Sequence, residues 1–469
     1  MKFFSYSVLL LLLVLSFNDA TGQKQNERPN IIFIITDDQQ TGLLGVEGNT
    51  VANTPHIDRI GEEGVVFKNA FVVTPLCSPS RASFLTGNYA HKHNVINNDK
   101  LGLDVISHTL LTWPRQLRES GYTTAFIGKW HMGLDDSRRP GYDRWFSFKG
   151  QGDYIDGVVN DEDTRIQTTG YMTDIINEKA LNFLKNHDKD QPFAMIVAHK
   201  AIHWPLLPAK RHESLYPYFK FDAVAVDAKD IAGKPHLRRT VNRKKFYEYQ
   251  NVLPEPPESR RGHGRQRDTV VGDQHRSLKS VDEGVGQFFK TLEDKDILNN
   301  TVIIYVSDNG MLMGEHGEFN IKRWAYDPVI RIPMFMRYPR VFAPKSTREQ
   351  MVLNIDIAPT LLQLAGVEPL EPMDGQSMVP VLKEPKTKGR KAFLAEYFLE
   401  KVAPRIPSWK AVRTEKWKYI QYAEEGVASE LYHLETDPGE NQNLINEPGS
   451  KVHIDRLGQL MKEFLSEEK

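Results

Sequence analysis

Apolar positions in this chain come in two rhythms. Asn30 to Thr36 holds Ile31-Ile32-Phe33-Ile34-Ile35 without a break, between Pro29 and the pair Asp37-Asp38. That run predicts a strand covered on both faces, with two carboxylates at its C-terminal tip. Thr301 to Ser307 repeats the design and closes on Asp308-Asn309-Gly310. Thr123 to Ile127 and Phe193 to Ala198 are shorter core strands of the same kind, followed by Gly128-Lys129-Trp130-His131 and by His199 to His203. Helical spacing takes over in the intervals. Leu278, Val281, Val285, Phe288, Phe289 and Leu292 precede the strand at 301, and Leu110, Leu111, Trp113 and Leu117 precede the strand at 123. Alternating helices and strands predict an α/β layered domain, and polar groups just beyond strand ends stand where open α/β sheets bind ligands.

Two regions depart from this texture. Residues 210–274 carry Arg238-Arg239, Arg243-Lys244-Lys245, Pro254-Glu255-Pro256-Pro257 and the run Arg260 to Arg267, and read as an irregular basic insertion. From 386 to 469 the apolar runs are short and separated by turn signals: Ala392 to Ala395, Trp409 to Thr414, Trp417 to Tyr422 and Glu430 to Leu434. A helical pattern from Ile454 to Leu465 follows. These predict a small antiparallel sheet packed by a terminal helix. The division expected is a catalytic domain over 23–385 and a C-terminal subdomain over 386–469.

Composition removes several classes of function. The 469 residues hold 60 Lys+Arg against 61 Asp+Glu, a formal charge of -1, so no global field draws the chain to nucleic acid or to an anionic membrane. A single cysteine, Cys77, excludes an internal disulfide and an all-cysteine metal site. Residues 1–22 read as a signal peptide: a basic start at Met1-Lys2, an apolar run from Val8 to Leu15, and small residues near Ala20-Thr21-Gly22. The run is shorter than the ~20 residues a bilayer span needs, so an exported protein, periplasmic or secreted, with no membrane anchor in its mature form is expected. A lone thiol in an oxidising compartment then asks for a chemical reason.

The neighbourhood of Cys77 supplies one. Cys77-Ser78-Pro79-Ser80-Arg81-Ala82-Ser83-Phe84-Leu85-Thr86-Gly87 resembles the signature of the type I sulfatases, Cys-x-Pro-Ser-Arg-x-x-x-Leu-Thr-Gly, which directs oxidation of the cysteine to formylglycine by a separate maturation enzyme. The likeness extends to Asp37-Asp38, Gly128 to His131, Ser307 to Gly310 and the run Glu430 to Glu440. It implies an alkaline-phosphatase-like fold, a mixed sheet sandwiched by helices. Together with Thr74-Pro75-Leu76, the stretch Gly87 to Asn94 resembles glucosamine-6-sulfatases and related exo-acting glycan sulfatases.

Elementary chemistry agrees with the resemblance. An ordinary Ser or Cys nucleophile could be trapped as a stable sulfated enzyme, whereas an aldehyde hydrate keeps a second hydroxyl that expels sulfate. Pro79-Ser80 starts a helical run, which places residue 77 at a helix N-terminus, favourable for anions. Asp37, Asp38, Asp308 and Asn309 are hard oxygen donors suited to Ca²⁺ or Mg²⁺; the family implies Ca²⁺, with residue 77 completing the set. By the same resemblance Arg81 orders the formylglycine region, Lys129 and Lys322 bind sulfate oxygens, His131 serves the hydrate hydroxyl, and His203 protonates the leaving alcohol. The family has Pro-His where this chain has Ile202-His203, which leaves His199 as a second candidate acid. His91 and His93 are candidate substrate contacts. The expected substrate is a sulfate monoester of a carbohydrate, such as an oligosaccharide from a sulfated polysaccharide. A formylglycine-dependent phosphonate or phosphodiester hydrolase, and a non-catalytic glycan-binding protein, are the alternatives.

Overall fold

The computed structural model describes residues 28–220, 228–234, 236–237, 267–424 and 427–466. The expected signal peptide, and the basic runs between 238 and 265, lie outside the described residues. Ten strands form one mixed sheet: β1 (Asn30–Thr36), β2 (Val65–Phe71), β3 (Thr123–Gly128), β4 (Arg144–Ser147), β5 (Val158–Asp161), β6 (Thr164–Gln167), β7 (Phe193–Ala198), β8 (Thr301–Ser307), and, after the two-stranded ribbon of β9 (Leu312–Met313) and β10 (Phe319–Ile321), β11 (Met334–Arg337) and β12 (Ser346–Leu353). Their order is β12-β2-β11-β8-β1-β7-β3-β4-β5-β6. The central strands β8, β1, β7, β3 and β4 run parallel, and β11 is antiparallel to both its neighbours.

The unbroken apolar run of β1 follows from this central place. Successive side chains of a strand point to opposite faces. Ile31, Phe33 and Ile35 therefore join one core with Phe84, Leu85, Trp113 and Leu117. Ile32 and Ile34 join the other, with Ile176, Leu181, Leu278, Val281 and Phe288. Full burial of each such side chain contributes about 1.5–3 kcal/mol, so a polar residue at any of these positions would be costly.

The helix expected around Leu110 to Leu117 is shorter than its pattern. Thr112 caps it by accepting a hydrogen bond from Arg115 N, and Pro114 fills its first turn, so it spans Trp113–Glu119. The helix before β8 is longer than expected. It begins at Arg267 and runs to Asp294, so residues 267–274 are regular rather than part of an irregular insertion. Val270 and Val271 are buried there, and packing of that apolar face outweighs the polar texture of the segment.

At the C-terminus β13 (Ala392–Tyr397), β14 (Trp409–Thr414), β15 (Trp417–Tyr422) and β16 (Glu430–His433) form an antiparallel sheet in chain order, packed by the helix Ser450–Ser466. Its joint to the larger sheet is charged and buried. Lys418 Nζ lies 2.6 Å from both Asp327 Oδ1 and Glu440 Oε1, and Arg413 donates to Asp327 from Nε and Nη2 at 3.0 Å.

Candidate active site

Register decides what meets at the sheet edge. Thr36 pairs with Ser307, Ile35 with Ala198 and Gly128 with Ala198. The residues that follow, Asp37, Asp308, His199 and Lys129, therefore emerge side by side at the C-terminal ends of four parallel strands. Gly128 adopts φ 121°, and a Cβ there would collide with the Ala198 carbonyl, so this close approach requires glycine.

The acidic tips interlock. Asp38 N donates to Asp308 Oδ1 at 3.0 Å, and Asn309 Nδ2 donates to Asp38 Oδ1 at 2.8 Å. One carboxylate oxygen from each of Asp37, Asp38 and Asp308 lies within 4.8 Å of the other two. Burial, and after it the Asp37 charge, push the Asp308 carboxyl up to about 6. The buried Asn309 Oδ1 has no hydrogen-bond partner. Crowded carboxylates and an orphaned amide oxygen make a hard-oxygen donor set, and it fits a Ca²⁺-like cation.

Cys77 joins them from the start of the helix Cys77–Thr86, which Gly87 ends in a left-handed conformation. Pro79 lies in the first turn, where its missing N–H costs no hydrogen bond. Ser78 N, one of the free donors of that turn, reaches Asn98 Oδ1 at 3.0 Å. The sulfur of Cys77 lies 3.6 Å from Asp37 Oδ1 and 2.7 Å from Lys322 Nζ. Burial pushes the Cys77 thiol up to about 12, and the neighbouring Lys322 only partly offsets it. Such a group is a neutral thiol near pH 7, and a thiol in that state is a poor nucleophile.

Cations frame the acids. Arg81 donates from Nε to Asp308 Oδ2 at 2.9 Å and from Nη1 to Lys129 O at 2.7 Å. Lys129 donates to Asp37 Oδ2 and, at 2.5 Å, to Gln151 Oε1. Lys322, presented by the turn after β10, lies 2.5 Å from Asp38 Oδ1. Burial pulls Asp37 upward, but Lys129, His203 and Arg81 together outweigh it and hold its carboxyl well below the usual range. Three carboxylates thus face three cations. Adding a dication leaves a positive surplus for an anionic substrate.

The histidines separate into three groups. His203 belongs to the cluster, with Nε2 3.6 Å from Asp38 Oδ2 and Nδ1 against Trp204 O at 2.7 Å. His131, buried at φ 57° with an unpartnered Nδ1, carries on its carbonyl the hydrogen bond from Ser78 Oγ. His199 is fully buried with both ring nitrogens unpartnered. The expected substrate contacts point elsewhere. His93 is buried, with Nε2 on Ser83 Oγ at 3.0 Å and Nδ1 accepting from Val95 N at 3.1 Å, and burial pulls it down to about 3. His91 Nδ1 faces Glu396 at 2.9 Å, which ties the stretch to the C-terminal sheet. Gln151, Tyr154 and Lys200 reach the site without having been singled out from the sequence. Only Lys200 carried a signal, standing between the two histidines after β7.

The comparisons bear on this geometry. Residues 29–367 match the family model described as Sulfatase, and residues 314–467 match N-sulphoglucosamine sulphohydrolase, C-terminal. The chain belongs to the sulfatase family. As a sulfatase it is a sulfuric ester hydrolase. It is 32% identical to N-acetylglucosamine-6-O-sulfatase of Bacteroides thetaiotaomicron, over 97% of this chain and 90% of the relative. It is 30% identical to human N-acetylglucosamine-6-sulfatase, over 94% and 85%. A sulfatase structure solved with its substrate D-glucosamine-2-N,6-O-disulfate superposes with a TM-score of 0.79 at 29% identity, covering 93% of this chain and 97% of the other. The same fold occurs in a phosphonate monoester hydrolase of Agrobacterium radiobacter, with a TM-score of 0.73 at 19% identity over 93% and 95% of the two chains.

Proposed function

We propose that this sulfatase hydrolyses sulfate monoesters on a carbohydrate, with residue 77 as formylglycine and a Ca²⁺ ion held by Asp37, Asp38, Asp308 and Asn309. The observation that carries the reading is the convergence of Cys77 on Asp37 and Lys322 at the mouth of the oxygen cluster. The neutral thiol is inert in that setting, which supports conversion. Bound there, the cation and the aldehyde hydrate supply a polarised nucleophile beside a sulfate oxygen.

The chain's own residues handle charge and protons. Arg81 braces Asp308 and the Lys129 carbonyl, fixing the acidic tips to the helix of residue 77. Lys129 reaches Asp37 and Lys322 reaches Asp38, and each has three donors, so each can offer an N–H to a sulfate oxygen. Burial pulls His203 down to about 3 while Asp37 and Asp38 pull it up. The negative charge of a bound sulfate adds to the upward pull, which favours the protonated ring that a leaving alkoxide needs. His131, two residues after Lys129, serves the hydrate hydroxyl.

A glucosamine-type sugar sulfate is the leading substrate, because relatives named for N-acetylglucosamine-6-sulfate match over nearly the whole chain. Export rests on residues 1–22 and is supported by relatives named as extracellular sulfatases. Among the described residues no helix is long and apolar enough to cross a membrane. Desulfation of defined sulfated mono- and oligosaccharides, with Cys77→Ala as the blank, tests the reading. Release of sulfate from 6-sulfated glucosamine substrates is expected, and turnover confined to phosphonates would overturn it.

A further inference from the structure

Lys200 is a buried cation with no carboxylate on its ammonium. It follows β7, is 3% exposed, and makes no salt bridge among those of the described residues. Its Nζ donates to the Gln151 carbonyl at 3.1 Å and lies 4.9 Å from the centre of the Tyr154 ring. Burial, with the Lys129 charge behind it, pulls its amine down to about 7, and in either protonation state Nζ keeps an N–H for Gln151 O. An ammonium buried without a counter-ion costs stability, and an apolar side chain of similar length would cost less. Packing therefore does not explain a lysine here.

What Lys200 touches does. Gln151 accepts from Lys129 Nζ through Oε1 at 2.5 Å. Tyr154 donates its hydroxyl to His203 O at 2.7 Å and lies 3.4 Å from Lys200 O. Gln151 and Tyr154 belong to one loop, between β4 and β5. The His203 loop and the Lys129 strand end belong to two other elements. Lys200 joins the three.

We propose that Lys200 is a positioning residue of this sulfatase: its Nζ ties the loop at 151–154 to the loop after β7, and so sets Lys129, through Gln151, and His203, through Tyr154, against the substrate's sulfate ester. The inference rests on the reading of Lys129 as a sulfate-binding group and His203 as the leaving-group acid. An ammonium has three N–H groups. With one on Asp37 and one on Gln151, the direction of the third on Lys129 is fixed. Losing the Gln151 arm lets that donor wander while the charge stays in place.

The experiment measures kcat/KM on an aryl sulfate and a sugar sulfate, inhibition by inorganic sulfate, and Tm, in the mature full-length enzyme. Lys200→Met is expected to lower kcat/KM about tenfold or more on both substrates, as for loss of a charge-assisted hydrogen bond. It should weaken sulfate inhibition similarly and leave Tm unchanged or raised. In a Gln151→Ala background the same substitution should add nothing to the loss of sulfate inhibition, because the arm it acts through is gone. Tyr154→Phe, which deletes one hydroxyl, should lose activity on the sugar sulfate and keep it on the aryl sulfate. Full activity in Lys200→Met, a fall in Tm that accounts for its lost activity, or losses that multiply with Gln151→Ala would each overturn the proposal. Should Lys200→Met not fold, Tyr154→Phe decides: equal retention on both substrates overturns it. Lys129→Ala is the separate control: if it leaves sulfate inhibition intact, the reading of Lys129 has failed and the fault lies there.

Discussion

Lys322 Nζ stands 2.7 Å from Cys77 Sγ and 2.5 Å from Asp38 Oδ1, so one ammonium bridges residue 77 and the candidate metal ligands. Those three residues come from a helix start, the turn after a two-stranded ribbon and the tip of a central strand. The meeting of nucleophile position, cation and acid is what the following expectations test.

Residue 77 should be formylglycine in active preparations. A thiol held near pKa 12 offers almost no thiolate at neutral pH, and it lacks the second hydroxyl that expels sulfate. Peptide mass spectrometry should find the aldehyde or its hydrate, and Cys77→Ala should abolish turnover with an unchanged circular dichroism spectrum. Full activity in a sample carrying only the thiol would sink the mechanism.

Chelation should remove activity, as should Asp38→Ala or Asp308→Ala, since losing a carboxylate weakens a Ca²⁺ site directly. Added Ca²⁺ should raise the Tm of the metal-stripped enzyme, because it binds only the folded state. Metal-stripped protein, verified by elemental analysis, that keeps its full rate would count against the site.

Stability should depend on pH through Asp308, with a definite sign. Its folded pKa, about 6, stands above the ordinary ~3.9 of an aspartate. The folded state therefore binds the extra proton, and the stability this group contributes is present below about pH 4 and lost as pH rises through about 6. Metal-free wild type should lose Tm relative to metal-free Asp308→Asn across that window, and Ca²⁺ should abolish the loss. Parallel curves for the two metal-free proteins would contradict the assignment.

His203→Ala should cost about 10² to 10⁴ in kcat/KM on a sugar sulfate, the usual worth of general-acid assistance, and distinctly less on an activated aryl sulfate. Lys129→Ala should damage both alike. The buried, unpartnered ring of His199 makes it the comparison: a selective loss in His199→Ala instead of His203→Ala would reassign the acid.

Lys418→Met should destabilise the fold by about 3 kcal/mol or more, the cost of breaking a buried ion pair from one side. It strips Asp327 and Glu440 of a shared partner at the joint between the sheets. Chemical denaturation of the metal-loaded enzyme measures the change, and a midpoint equal to wild type would show that Arg413 and Arg331 suffice for Asp327.

Much of the site was legible because its chemistry sits where local patterns end. Asp37-Asp38 and Asp308-Asn309 follow apolar runs that only a central strand can bury, and Cys77 opens a helix marked by Pro79 and closed by Gly87. His93 was not legible. In the four-residue helix Ala90–His93 its side chain turns under the Cys77 helix onto Ser83, and nothing in the spacing of His91 and His93 distinguishes inward from outward. The start of the long helix at Arg267 was hidden for a similar reason, since burial of Val270 and Val271 outweighed a polar composition.

The sequence by itself determined the four central strands and the C-terminal sheet, the acidic tips and the position of the lone cysteine, because each depends on neighbours a few residues away. Only the tertiary structure decided that residues 37, 77, 129, 203, 308 and 322 share one site. Sheet order places β1 between β7 and β8, and parallel register sends all three tips to one edge. It also decided the electrostatics. Burial makes the Cys77 thiol inert and, with the Asp37 charge, lifts the Asp308 carboxyl despite its Arg81 partner, and burial belongs to the packed chain rather than to any residue's own chemistry.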